Sequence, residues 1–165
     1  MSFDALFERL YPQLFRYLHR LTADADIAAD AAQESFVRLL DKPLPEKEAK
    51  RWLFTVGTNL VRDGSRARTR RERLSPTIRH EVAEVEAPDR EVERGEEVAA
   101  VRAALDAIPE RDRTILLMRE EGFRYREIAD AIGVRESSVG TLLARATQRF
   151  VQEYEHGEGH GDTSG

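Results

Sequence analysis

The chain is predicted to be all-α, built as two small helical domains joined by an acidic linker, and three observations predict it. Apolar residues recur at spacings of three and four in both halves, and no alternating strand pattern or internal repeat interrupts them. Between the halves, residues 75–97 hold few large apolar side chains, two prolines and many acids, a composition that cannot bury enough surface to fold alone. Near the C-terminus, Ala129, Gly133 and Val139 fall at the positions a helix-turn-helix requires. The chain therefore divides into a helical domain over residues 1–74, the linker over 75–97, a second helical domain over 98–152 that contains the helix-turn-helix, and a Gly-rich tail over 153–165 that is expected to be disordered.

In the first domain, Phe3, Leu6, Phe7, Leu10, Leu14, Tyr17, Leu18 and Leu21 form the stripe of an amphipathic helix, which Pro12 should interrupt or kink. A second helix is expected from about Ile27 to Leu40. Asp24 or Asp26 would cap it, and Pro43 and Pro45 would stop it. A third covers roughly Glu46 to Leu60, with Gly57 and Gly64 pointing to a break or bend in "VRDGSRARTRR". In the second domain, periodicity resumes at Val98, Val101, Leu105 and Ile108. It continues through Ile115, Leu116 and Met118, then Ile128 and Ile132, then Val139, Leu143, Ala146 and Phe150, which makes four helices.

The net charge of -5 conceals a segregated distribution. Residues 51–80 carry eight arginines and two acids, whereas residues 81–110 carry three arginines and ten acids. A basic block of that kind suits a polyanion, and the acidic block beside it would repel one. Of the 26 basic residues 23 are arginine, a bias that a GC-rich genome explains as well as phosphate recognition does. The chain has no cysteine, which excludes disulfides, thiolate zinc sites and a redox thiol. No apolar run approaches the roughly 18 residues that span a bilayer, and "MSFDALFERL" is unlike a signal peptide, so a cytoplasmic location is expected.

The helix-turn-helix spans "REIADAIGVRESSVGTLLAR". Ala129 lets the two helices approach, Gly133 can take the positive φ of the turn, and Val139 docks the second helix on Ile128 and Ile132. A plain helical hairpin with a glycine turn is the simpler alternative. On the outward face of the second helix the expected residues are Arg135, Glu136, Ser137, Gly140, Thr141, Ala144, Arg145 and Gln148. Only Arg135, Arg145, Gln148 and Arg149 carry the donors that base edges and phosphates take, so the module should bind DNA weakly without a partner to tether it.

Residues 101–150 resemble the C-terminal promoter-binding domain of bacterial sigma factors of the extracytoplasmic-function class, above all in "IPERDRTILLMR" ahead of the helix-turn-helix. In the first domain, "DAAQESFVRLL" is similar to the class's segment that grips core RNA polymerase, and "WLFTVGTNLVRDGSRARTRR" to its minus-10-reading segment. The resemblance covers about 120 residues, in order. It implies a factor that binds core RNA polymerase and directs promoter-specific initiation, with residues 1–74 on the polymerase and the minus-10 element and residues 98–152 on the minus-35 element.

Carried over residue by residue, it places Asp30, Gln33 and Glu34 on core polymerase, and Phe36, which matches the same segment, is read as core. Asn59, Asp63, Arg66, Arg68, Arg70 and Arg71 would meet the melted non-template strand. Asn59 would bond a flipped base, and the arginines would follow the phosphates. Trp52, Leu60 and Val61 are read as packing. Arg135, Ser137, Ser138, Thr141, Arg145 and Arg149 would face the minus-35 element. Members of the class commonly carry Lys or Arg where this chain has Gly140 and Leu142. Upstream recognition is therefore expected to lean on Arg135, Arg145, Arg149 and DNA shape, with polymerase supplying effective concentration. Gel-shift comparison of an Arg145→Ala holoenzyme with the wild type checks this, and weaker upstream binding is the expected result. The linker is thought to follow the polymerase's RNA exit path, which its acidity fits as well as it fits a solubilising spacer. Free members of the class are often held by an anti-sigma protein, which would cover the apolar and polymerase-binding faces.

An enzyme is not expected: the four histidines are scattered and no phosphate loop or nucleophile motif is present. No cofactor or metal is expected either. His156 and His160 stand four apart, but Gly157 and Gly159 argue against a helix that would bring them together. The main alternative is a stand-alone helix-turn-helix regulator that binds a palindrome without polymerase. An all-helical adaptor would leave the arginines between Arg62 and Arg79 unexplained.

Overall fold

The computed structural model describes residues 2–74 and 92–159, with side chains over 2–64 and 95–157. Among the described residues there are seven helices and no strand. The chain divides into two compact units, Met1–Ala83 and Glu84–Gly165.

The first unit packs three helices against one another. Helix α1, Phe3–Thr22, starts on Ser2, whose Oγ accepts from the Ala5 N–H at 3.3 Å. Pro12 lies inside it without ending it. The proline is exposed, on the side away from buried Leu6, Leu10, Leu14, Tyr17, Leu18 and Leu21, so the carbonyl it leaves unbonded faces water while the packed face holds the helix. The apolar stripe is also divided. The leucines and Tyr17 are buried, whereas Phe3, Phe7, Tyr11, Phe15 and His19 stack four apart along a half-exposed edge, with Phe36 set edge-on to Phe7 at 4.9 Å. Phe36 itself is buried, as read.

Ala23 ends α1 in the left-handed region (φ 58°), a conformation that costs an L side chain about 1 kcal/mol. Ala23→Gly is expected to raise stability by about 0.5 kcal/mol, read as a higher denaturant midpoint at unchanged slope.

Helix α2, Ala25–Leu39, begins two residues earlier than the pattern predicts. Asp24 is its cap, with Oδ1 accepting from the Asp26 and Ile27 N–H groups at 2.9 and 3.1 Å.

Helix α3, Glu46–Leu74, is continuous where a break was expected. Gly57 is there for packing: a Cβ on it would lie 3.2–3.3 Å from Leu14 and Leu18 of α1. Gly64 has open space around it, and its helix penalty of about 1 kcal/mol is too small to break the run. One residue along, buried Thr58 donates to the Phe54 carbonyl at 2.7 Å and accepts from the Tyr17 hydroxyl at 2.7 Å, fixing the rotation of α3 against α1.

In the second unit, α4 (Val92–Ala107), α5 (Glu110–Glu120) and α6 (Tyr125–Ile132) pack against the long α7 (Glu136–Gly159). Three details depart from expectation. Helix α4 begins inside the stretch read as linker. Val98 and Val101 are exposed at 66% and 37%, because α4 packs through Ala104, Leu105 and Ile108 further on. Helix α7 runs through Gly157 to Gly159, into residues read as tail. Residues 75–91, the rest of the linker, and 160–165, which include His160, lie outside the described residues.

Charged groups tie this unit together. Arg113 Nε and Nη2 donate to the Leu105 and Ile108 carbonyls at 2.8 and 3.3 Å, closing the C-terminal end of α4. Burial pushes the nearby Arg102 guanidinium below its usual pKa; Asp106, 3.6 Å away, opposes that shift and the Arg113 charge adds to it.

Candidate promoter and polymerase interfaces

Helix α2 turns Ala28, Ala31, Ala32, Ser35, Phe36 and Leu39 inward, which leaves Asp30, Gln33 and Glu34 exposed along its outer side. Glu34 is not idle there, since its Oε1 accepts from Arg38 Nε at 3.1 Å. Both side chains are about half exposed, so the pair is worth only about 0.4 kcal/mol and is readily exchanged for another cation. Sequence reasoning missed that Val37 and Leu40, 56% and 60% exposed, continue this face. Their apolar character looks like core in the periodicity, and only the packing of α2 puts them outside.

On α3 the inward residues are Leu53, Phe54, Gly57, Thr58 and Val61. Asn59 and Asp63, four apart, are exposed on the opposite side, and the same row continues at Arg66 and Arg70 along the helix. The side chains of Arg66, Arg68, Arg70 and Arg71 lie outside the described residues, but the backbone that carries them is helical to Leu74. An unbroken helix therefore places positions 66 and 70 of the basic block in register with Asn59. Trp52 is half-buried, with Lys42 over its ring at 5.4 Å; Leu60, two turns further along the helix, is half-buried, whereas Val61 is buried.

Helices α6 and α7 form the helix-turn-helix. Gly133 has φ 73°, and the N–H groups of Gly133 and Val134 both donate to the Ala129 carbonyl, at 2.9 and 3.1 Å. Ala129, Ile128, Ile132 and Val139 are buried, as the motif requires. At the other end of α6, Glu127 accepts from the Arg124 N–H at 3.1 Å. Arg135, just ahead of α7, and Glu136, Ser137, Thr141, Ala144, Arg145 and Gln148 on it are exposed, while Ser138 and Leu142 are half-buried at the edge.

Arg149 has another task. Its Nη1 holds Asp112 Oδ2 at 2.6 Å, and the Asp112 side chain is 2% exposed, so this half-exposed arginine also anchors α7 to α5. Tyr125, 40% exposed at the start of α6, was also missed. The Arg119 guanidinium lies 5.1 Å from its ring centre, and its Cε2 would be 3.6 Å from a Cβ placed on Gly140. Among the described residues no group of three His, Asp or Glu could hold a metal ion, and no helix is long and apolar enough to cross a membrane.

Comparison with known proteins agrees with this geometry. Residues 6–71 match the family model for sigma-70 region 2, and residues 99–150 match sigma-70 region 4. The chain is 30% identical to the RNA polymerase sigma-H factor of Pseudomonas aeruginosa over 157 residues, which cover 87% of this chain and 80% of that protein. It is 29% identical to the ECF RNA polymerase sigma factor SigL of Mycobacterium tuberculosis, covering 90% of this chain and 88% of that one. The fold is similar to that of the sigma factor RpoE of Bartonella quintana, solved in complex with the anti-sigma factor NepR. The TM-score is 0.70 at 20% identity, over 93% of this chain and 96% of that one. With region 2 and region 4 matches in order and relatives aligned over most of their length, the chain belongs to the extracytoplasmic-function sigma factors, which direct core RNA polymerase to promoter DNA.

Proposed function

We propose that residues 1–74 carry the polymerase and minus-10 contacts and that residues 98–152 carry the minus-35 contact, with residues 75–97 as the connection. The observation that supports this most directly is the single continuous helix α3, which carries exposed Asn59 and the arginines beyond it. Asp30, Gln33 and Glu34, with Val37 and Leu40, form the polymerase-binding face. The two apolar side chains supply the desolvated centre, and the acids supply orientation against a basic partner. Asn59 and Asp63 face the non-template bases, while Arg66, Arg68, Arg70 and Arg71 neutralise its phosphates. Arg135, Ser137, Thr141 and Arg145 face the upstream duplex, with Ser138 at the edge and Arg149 holding the helix in position. The protein acts without catalysis of its own, in the cytoplasm where polymerase works. An anti-sigma factor, the kind of partner seen with the Bartonella protein, would find the apolar edge of α1 and the outer face of α2 available in the free chain.

The test is co-elution of the purified chain with bacterial core RNA polymerase on size exclusion, beside an Asp30→Ala/Glu34→Ala variant. The wild type is expected to co-elute and the variant to lose most of its binding. A wild type that stays apart from polymerase yet shifts a palindromic duplex would overturn this reading in favour of a stand-alone regulator.

A further inference from the structure

Among the described residues, two glycines inside helices, Gly57 in α3 and Gly140 in α7, have a neighbour within 4 Å of where a Cβ would lie, and only Gly57 is dictated by the protein's own packing. A Cβ on Gly57 would press on Leu14 and Leu18, so that residue is dictated from within. Gly140 is different. The one neighbour within 4 Å of a Cβ there is Tyr125 Cε2, at an ordinary 3.6 Å, and its φ is not in the left-handed region. Alanine would fit, and the helix would be more stable for it. The missing side chain therefore answers to something outside the free chain.

What surrounds Gly140 indicates what that is. Exposed Ser137, Thr141 and Ala144 stand one turn or less from it on the same side of α7, and none of them can make the bidentate bonds by which Arg or Lys reads guanine and Asn or Gln reads adenine. Arg135, Arg145 and Gln148, the long donors, flank this small-residue face. In the major groove, the contact open to a Thr or Ala methyl is the 5-methyl group of thymine. Building on the assignment of α6 and α7 to the upstream element, we infer that the middle of α7 reads thymine methyl groups through Thr141 and Ala144, with the bare backbone of Gly140 lying against the DNA. Specificity at the centre of the element thus comes from close apolar fit, and the flanking arginines set affinity and register. Tyr125, braced by Arg119, borders the same surface and limits how far a side chain at 140 could swing aside.

The experiment uses the full chain with core RNA polymerase and an upstream duplex enriched from a library randomised over the minus-35 region. Each thymine in the enriched duplex is replaced singly by deoxyuridine, which lacks only the methyl group. Affinity is expected to fall about fivefold at one or two central positions, and Thr141→Ser or Ala144→Ser should abolish that sensitivity. Gly140→Ala should raise the melting temperature by about 5 °C while weakening upstream binding at least fivefold. Indifference to every deoxyuridine, or a Gly140→Ala variant that melts higher and binds as well as the wild type, overturns the inference and leaves the minus-35 assignment standing. A holoenzyme that enriches no upstream sequence at all overturns the assignment itself, and the inference with it.

Discussion

Replacing Arg66, Arg68, Arg70 and Arg71 together by alanine is expected to flatten the salt dependence of promoter binding. If each arginine neutralises one phosphate of a melted strand, the slope of log affinity against log salt falls by about 3, since each contact contributes roughly 0.7. At 0.1 M salt the loss should be roughly a hundredfold or more. The measurement is a titration of holoenzyme with a forked fragment whose minus-10 non-template strand is single-stranded, repeated across a salt series. Asn59→Ala serves as the internal contrast. It should weaken binding and alter preference at one base while leaving the slope unchanged, because a base edge releases no counterion. A slope that survives the arginine replacements would mean that the rod formed by α3 presents its far end elsewhere than to the strand.

Breaking the pair between Arg149 and Asp112 is the second large effect. Asp112 is almost wholly buried, and Arg149, half exposed, is the cation bonded to its carboxylate at 2.6 Å. Arg149→Ala therefore leaves a buried carboxylate without that bond, at a cost of about 2 kcal/mol; the exposure of the arginine keeps this below the value for a fully buried pair. Converting Asp112 to leucine in the same chain should recover most of that loss, because an apolar side chain has no desolvation penalty. Denaturant unfolding followed together with upstream DNA binding separates two explanations. If Arg149 acts by positioning, the double variant regains DNA binding along with stability. If it is itself a phosphate contact, stability returns and binding does not.

The departures from the expected fold share a cause. Pro12, Gly57 and Gly64 each carry a local penalty of about 1 to 3 kcal/mol, and in each case the helix continues. At Pro12 the weakness faces water, and at Gly57 the absent side chain is what lets α1 and α3 approach. The same limit applies to the candidate sites. Asp30, Gln33 and Glu34 are legible as a helix face because charge and spacing agree. Val37 and Leu40 are not, since an apolar residue in periodic register looks like core until its neighbours are known. Arg149 is legible as a surface arginine on the recognition helix, but nothing in the order of residues places it beside Asp112, 37 positions away.

By itself the sequence determined the helical class, the two-part charge distribution and the helix-turn-helix, because each rests on local spacing: apolar residues at three and four, a glycine where the turn needs positive φ, arginines gathered in one block. Tertiary structure alone decided that α3 is one rod, that the α1 stripe divides into a buried leucine edge and a half-exposed aromatic one, that Arg149 holds α7 to α5, and that Gly140 serves no internal packing need. Those outcomes depend on which distant surfaces meet, and a one-dimensional pattern sets what a face can bury without specifying what will cover it.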